Sequence, residues 1–199
     1  MNGDARVNVR RMVMLRAPTT DVWAALRDEL PAVAGLMTGI DEVRRLERQV
    51  EAPALVTTVH EWRAAASVSG ALAAKLDGGA LTWLERARWH EPALESRWTV
   101  ESRILGGGLV GSGVTRLETA MGGRGTRLHF EISTSIAAGA LGPLGQGRFR
   151  NGIEDAAATL LARTLQDLGV AVESFLAGRG GSNGAGGGNG GTRHGARRP

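Results

Sequence analysis

The segment that predicts the architecture most directly is LESRWTVESRI, from Leu94 to Ile104. Every second side chain in it is apolar or small, and most of those between are charged. This period of two is typical of an antiparallel strand with one buried face. Ser96 and Ser102 fall in the same row as Trp98, and small side chains beside a large ring predict unfilled space. The pattern therefore indicates a ligand cavity over one face of a sheet.

Six further segments alternate in the same way and predict strands, which gives seven in all. They are Arg6 to Arg16, Glu42 to Val50, Ala54 to Ala65, Ala80 to His90, Val114 to Met121 and Thr126 to Ile136. Pairing Trp89 with Leu94 across the intervening turn places Arg88 opposite Glu95 on the outer face and turns Glu85 inward.

Helices are predicted in two places. After Pro18, Thr19 or Thr20 is expected to cap a short helix, and a second helical turn follows from Ala32 to Met37. From Ile153 to Leu176, apolar residues recur at three- and four-residue spacing, which predicts a long amphipathic helix. Strands followed by a helix in one domain indicate an α+β fold in which the helix covers the buried sheet face.

Composition predicts one domain and a tail. The chain has 199 residues, 42% of them hydrophobic, which suits a single domain over residues 1–177. The glycine-rich remainder, Gly178 to Pro199, is expected to be disordered because it has little to bury. Four of the 24 basic residues lie in this tail, so the domain itself is neutral and no specific nucleic-acid partner is expected. A weak contact of the Arg-Gly-Gly at Arg179 with RNA or anionic lipid is the alternative to a solubilising tail.

Several kinds of site are excluded by residue type and spacing. Cysteine is absent, which excludes disulfides and thiolate metal ligands. The histidines of the domain, His60, His90 and His129, fall on different strands, so no metal is expected. The glycine pattern from Gly106 to Gly111 opens no helix and is rejected as a dinucleotide site, and no cofactor is predicted. The N-terminus resembles no signal peptide and no run of 18 apolar residues occurs, which predicts a cytoplasmic protein without a membrane span.

The order of elements resembles the START-like, or helix-grip, superfamily (SRPBCC), which includes the Bet v 1-like proteins and the polyketide cyclase/dehydrase group. The matching segments are the A-P-x-x-x-V-W-x-x-L run from Ala17 to Leu26, GIDEV at Gly39, WLERARWHEPALESRW at Trp83, GTRL at Gly125 and GPLG at Gly142. The resemblance spans about Arg6 to Ala177. It implies a seven-stranded antiparallel sheet wrapped around a long C-terminal helix, with two short helices between the first two strands. It also implies binding of hydrophobic or aromatic molecules between helix and sheet, by carriers, sensors or cyclases.

The candidate ligand-binding residues are aromatic or apolar side chains of the inner face, with two ionisable ones. They are Trp62, Trp83, Glu85, Trp98, His60, Phe130, Leu161 and Leu165. The tryptophans have two equally open interpretations, as filling of the core or as the lining of a pocket.

Glu85 is the most informative of these candidates, because burying a carboxylate without a partner is costly in free energy. If His60 belongs to the inward row of its strand, the two form a buried polar pair that orients a ligand or moves a proton. The alternative is a bulge or register shift that turns Glu85 to solvent.

Three hypotheses about function follow. The leading one is binding of a small hydrophobic or aromatic ligand without cofactor or covalent chemistry, with Ser67 to Leu76 as a gate. The second is an enzyme of the polyketide cyclase or aromatase type, in which the weak catalytic candidates His60 and Glu85, joined by Arg63, handle protons. The chain has no tyrosine to serve as a phenolic acid. The third is an interaction module that docks a partner through its sheet face or its basic tail.

Overall fold

The computed structural model describes residues 6–64, 81–102, 109–136 and 163–179. Three helices and seven strands lie in these ranges. They are β1 (Arg6–Leu15), α1 (Thr19–Asp28), α2 (Leu30–Ala34), β2 (Ile40–Ala52), β3 (Leu55–Ala64), β4 (Leu81–His90), β5 (Glu95–Ser102), β6 (Leu109–Ala120), β7 (Gly125–Ile136) and a C-terminal helix, α3 (residues 163–179). The predicted gate, the start of the last helix from Ile153, and the tail beyond residue 179 lie outside the described residues.

The strands form one antiparallel sheet in the order β1-β7-β6-β5-β4-β3-β2, so β1 and β2 are its two edges. The middle of the inner face of β7 is apolar, with Leu128, Phe130 and Ile132 all buried between Thr126 and Thr134. The helix α3 packs against the β1 side of this face, where its Val172 is completely buried. The predicted α+β fold, seven antiparallel strands with two short helices after the first and a helix at the end, is confirmed.

The start of α1 differs from the prediction. Pro18 occupies the N-cap, and no side chain caps the helix. Thr19 is buried instead, and its hydroxyl lies 3.1 Å from that of Thr119 and 3.3 Å from that of Thr126. The threonine therefore ties the helix to the hairpin of β6 and β7. The second helix begins at Leu30, with Pro31 in its first turn, where proline removes no hydrogen bond.

The register of β4 and β5 also differs from the prediction. Trp89 pairs with Ser96 instead of Leu94, and Arg88 lies opposite Arg97 instead of Glu95. The cause is Leu94, which ends the turn in a left-handed conformation (φ 46°) and so delays β5 until Glu95. Because the displacement is even, each side chain keeps its face.

The edge strand β2 is long and irregular. Its pairing with β3 shifts register three times, and most of its side chains are exposed. Asp28 at the end of α1 holds it in place: the carboxylate accepts hydrogen bonds from Arg27 at 2.8 Å and from Arg48 at 3.2 Å. The carbonyl of the same residue accepts one from Arg45 at 2.9 Å. Burial raises the pKa of the Asp28 carboxyl, but the bonds and charges of Arg27 and Arg48 outweigh it, and the net pKa is lowered. The α1 helix is thereby joined to the sheet edge.

The helix α3 lies against β1 at a glycine. A Cβ at Gly169 would come within 2.7 Å of Val13 Cγ1, so the close approach of helix and strand requires glycine there. The backbone N–H of Arg16 donates to the Glu173 carboxylate at 2.6 Å. The helix continues two residues beyond the predicted domain end at Ala177, and Arg179 places its guanidinium 5.5 Å from the centre of the Phe175 ring.

None of the helices within the described ranges is long and apolar enough to cross a membrane.

Candidate functional site

A cavity of about 90 Å³ lies between the inner face of the sheet, the α1–α2 pair and α3. Fifteen described side chains line it, and one of them, Glu85, is ionisable. They are Leu26 and Leu30 from the short helices, Trp62, Trp83, Glu85, Trp89, Ser96, Trp98, Val100, Thr115, Phe130 and Ile132 from the strands, and Thr164, Leu165 and Leu168 from α3. The surface that a ligand would meet is therefore mostly apolar and aromatic.

The tryptophans of this site are held by their own N–H groups. Trp89 donates to the Thr58 hydroxyl and Trp98 to the Thr115 hydroxyl, each at 3.0 Å. Trp62 donates to Glu85 at 2.7 Å. Because each of these indole N–H groups is used inside the protein, the three rings present π faces and C–H edges to the cavity rather than donors.

The tryptophans also form two pairs of packed rings. Trp62 and Trp83, which are cross-strand partners, stack with their centroids 5.6 Å apart and their planes 12° from parallel. Trp89 meets Trp23 of α1 edge to face, at 5.2 Å and 82°. The contact of Trp89 with Trp23 thus joins the sheet to α1 beside the cavity.

Glu85 lies on the inner face of β4, beside the stacked pair. Its side chain is 14% exposed, and Trp62 is its hydrogen-bond donor. Burial raises the pKa of the Glu85 carboxyl to about 7, and the Trp62 hydrogen bond opposes that rise. Near neutral pH this carboxyl is therefore divided between its protonated and ionised forms.

His60 is the cross-strand partner of Glu85 and is completely buried. Its Nδ1 lies 3.8 Å from Glu85 Oε2, beyond hydrogen-bond distance, and neither ring nitrogen has a hydrogen-bond partner among the described residues. Burial, with a smaller contribution from the charge of Arg45, lowers the pKa of His60 to about 4. The imidazole is therefore neutral at pH 7, and it does not neutralise the Glu85 carboxylate.

The architecture can now be compared with known proteins. The Zhui aromatase/cyclase from a Streptomyces species superposes with a TM-score of 0.58 over 92% of this chain and 99% of its own, at 19% identity. A START superfamily protein from Mycobacterium smegmatis matches with a TM-score of 0.55 over 86% and 98% of the two chains, at 13% identity. A protein from Thermus thermophilus matches with a TM-score of 0.60 over 84% and 98%, at 18% identity. The chain has the START/Bet v 1-like helix-grip fold. By sequence alone, it matches no family model and no curated protein.

Within this helix-grip fold, the cavity brings together six of the residues singled out from the sequence: Trp62, Trp83, Glu85, Trp98, Phe130 and Leu165. His60 does not line the cavity, although it pairs with Glu85 and shares its face of the sheet. Arg63 is exposed on the outer face of β3, because it alternates with the inward Trp62 and Ala64. That position is wrong for the proton-handling role considered for it. Leu161 lies outside the described residues.

Sequence reasoning missed other parts of the lining. Leu26 and Leu30 reach the cavity because α1 and α2 pack across the sheet, and helical periodicity alone does not say which part of a sheet a helix covers. Thr115 and Ile132 follow the period of two in β6 and β7, so alternation could have found both.

Two further small residues make room for the Trp98 ring itself. Trp98 is flanked by Ala87 on β4 and Gly113 on β6. The Trp98 ring occupies the place that a Gly113 side chain would take. Space at that point is therefore filled by the indole, whereas Ser96 does line the cavity.

Proposed function

We propose that this protein binds a small hydrophobic or aromatic ligand in the cavity between the sheet and α3, and that it does so in the cytoplasm. The observation that carries the proposal is the unfilled, indole-lined space over a sheet face. Apolar concave sites with few polar groups are the usual form of small-molecule sites. The helix-grip fold adds support, since proteins that share it include a START superfamily protein and an aromatase/cyclase.

The size of the cavity limits what enters it. Its volume of about 90 Å³ exceeds the roughly 30 Å³ share of one water molecule in the liquid. It is smaller than the roughly 300–1,000 Å³ typical of drug-sized sites. We therefore propose that the ligand places one ring or one branched end group among the tryptophans.

Filling the cavity is expected to abolish binding without unfolding the protein. Val100 lines the space and is partly exposed to it, so Val100→Phe places a ring where the ligand would sit. We expect the affinity for a neutral fluorescent probe, N-phenyl-1-naphthylamine, to fall at least tenfold, measured by titration with purified protein.

The matched control is Thr99→Phe, the same substitution at the exposed neighbour on the same strand. It should leave the affinity unchanged. Equal affinities in all three proteins would place the probe elsewhere and contradict the proposal. So would the absence of any binding by the wild type.

A second candidate function is catalysis of the polyketide cyclase or aromatase type. The observation that favours it is Glu85, a carboxyl inside an aromatic cavity whose pKa is raised to about 7. In its protonated form it donates to a ligand carbonyl oxygen, and in its ionised form it accepts a proton from an adjacent carbon. His60, at 3.8 Å, is neutral and buried, so its role would be to position the carboxyl. Turnover of an aromatic polyketone that is lost in Glu85→Gln but kept in Arg63→Gln would decide for this function. Binding without turnover would decide against it.

A further inference from the structure

Within the described part of the chain, the Glu85 carboxyl has no charged cationic partner at pH 7. Among the described residues, His60 is the one basic side chain within 4 Å of it, and His60 is neutral at pH 7. Trp62 supplies a single donor, whereas an ionised carboxylate accepts about four hydrogen bonds. The described residues therefore compensate the ionised group poorly, and a ligand that brings positive charge would stabilise it.

The surroundings of Glu85 favour a cation for a second reason. Trp83 lies on the same face of the same strand, and Trp62 stacks on Trp83. The face of an indole ring attracts a cation within about 6 Å of its centre, more strongly than any other side-chain ring. The N–H groups of Trp62, Trp89 and Trp98 are already used, so the cavity offers a ligand one carboxyl group and the carbon surfaces of indole rings.

We propose that the cavity binds an organic ammonium group, protonated or quaternary, held between the Glu85 carboxylate and the indoles of Trp62 and Trp83. This inference rests on the proposed ligand-binding function and names its ligand class: an amine carried on an apolar or aromatic body. A trimethylammonium head has the shape of a branched hydrocarbon end group, which suits the size of the cavity.

Binding of this kind is coupled to proton release. Because burial raises the pKa of Glu85 to about 7, an ammonium ligand that requires the ionised form displaces a proton below that pH. The elements packed around Glu85 present mostly apolar side chains: Leu26 and Leu30 from the short helices, Val100 from β5, and Leu165 and Leu168 from α3. In the described segments, the other titratable group next to Glu85 is His60 of β3, with Arg45 of β2 beside it. The affinity is expected to fall about tenfold for each pH unit below 7, because the ionised fraction of Glu85 falls by that factor.

The experiment compares two isosteres that differ in charge, benzyltrimethylammonium and neopentylbenzene. Both are titrated against the wild-type protein loaded with N-phenyl-1-naphthylamine at pH 8. We expect benzyltrimethylammonium to displace the probe at a concentration at least tenfold lower. Glu85→Gln should remove this preference and leave the affinity for neopentylbenzene within twofold of the wild type. Glu101→Gln removes a charge from the exposed face of the neighbouring strand and should change neither affinity.

The outcomes separate this inference from the proposed function. Equal affinity for the two isosteres would overturn the ammonium site and leave binding of apolar ligands intact. A preference that persists in Glu85→Gln would also overturn it, because the cation would then be held elsewhere. A tighter fit of pivalophenone, a neutral ketone of similar size, would overturn it as well, since protonated Glu85 would then serve a carbonyl. If none of the three displaces the probe, the ammonium site is overturned, while the proposed function is decided separately by the Val100→Phe titration.

Discussion

Gly113→Ala is expected to lower the free energy of unfolding by about 3 kcal/mol, the upper part of the range for overpacking a core. A Cβ at this position would come within 2.6 Å of Trp98 Cη2 and 2.7 Å of the Glu131 carbonyl oxygen. The indole is held against this position by the hydrogen bond from its N–H to the Thr115 hydroxyl. The loss is measured by urea denaturation followed by tryptophan fluorescence.

Two further variants test the cause. Ser112→Ala, at the neighbouring position on the opposite face, should change the stability by no more than a few tenths of a kcal/mol. In a Trp98→Leu background, Gly113→Ala should cost much less, because the ring that it meets is gone. A double-mutant cycle with no coupling between positions 98 and 113 would show that the glycine serves another purpose.

Glu85→Gln is expected to remove a pH-dependent part of the free energy of unfolding. This part amounts to about 3 kcal/mol, since one pKa unit corresponds to about 1.4 kcal/mol. The folded protein holds the Glu85 proton up to about pH 7, whereas the unfolded chain releases it near 4.5. Between these values the native state binds more protons, so the contribution of Glu85 to stability falls as pH rises. A glutamine at this position would keep the Trp62 hydrogen bond and lose this dependence. The free energy of unfolding of the variant, relative to that of the wild type, should therefore rise from pH 4 to pH 8.

His60 provides a control in which the pH dependence of stability has the opposite sign. Its pKa is lowered to about 4 in the folded protein, so its contribution to stability rises between pH 4 and the unfolded value of 6.5. In the wild type the two slopes oppose each other, and His60→Gln should leave the falling slope of Glu85 alone. Urea denaturation of the three ligand-free proteins at four pH values gives the difference curves. If the difference in free energy of unfolding between Glu85→Gln and the wild type stays constant with pH, the pKa of Glu85 is the same in the folded and the unfolded protein.

Local patterning predicted the faces of the strands, and it did so because a buried face imposes a period of two on each strand independently. Trp83, Glu85 and Trp98 therefore lie where alternation puts them. The register between strands depends on how each turn is closed, and that depended on the left-handed conformation of Leu94, which nothing in an alternating pattern specifies.

The predicted cap of α1 failed for a related reason. Local chemistry favours a threonine at the start of a helix as a cap. The Thr19 hydroxyl instead contacts the hydroxyls of Thr119 and Thr126, which are distant in sequence. The contribution of Leu26 and Leu30 to the cavity wall is likewise a matter of how separate elements pack. In the site itself, the sequence could identify an inward carboxylate. Only the structure shows its distance from His60 and the lack of hydrogen bonds to the His60 ring among the described residues.

The irregular course of β2 has a consequence for behaviour at high concentration. An outermost strand with free N–H and C=O groups is a template on which another molecule can add its own strand, the first step toward fibrils. Three interruptions of the pairing bend β2, and exposed arginines and glutamates run along it, so an incoming strand would meet a twisted and charged rim. This border of the sheet is thus protected against self-association by the same irregularities that shape it.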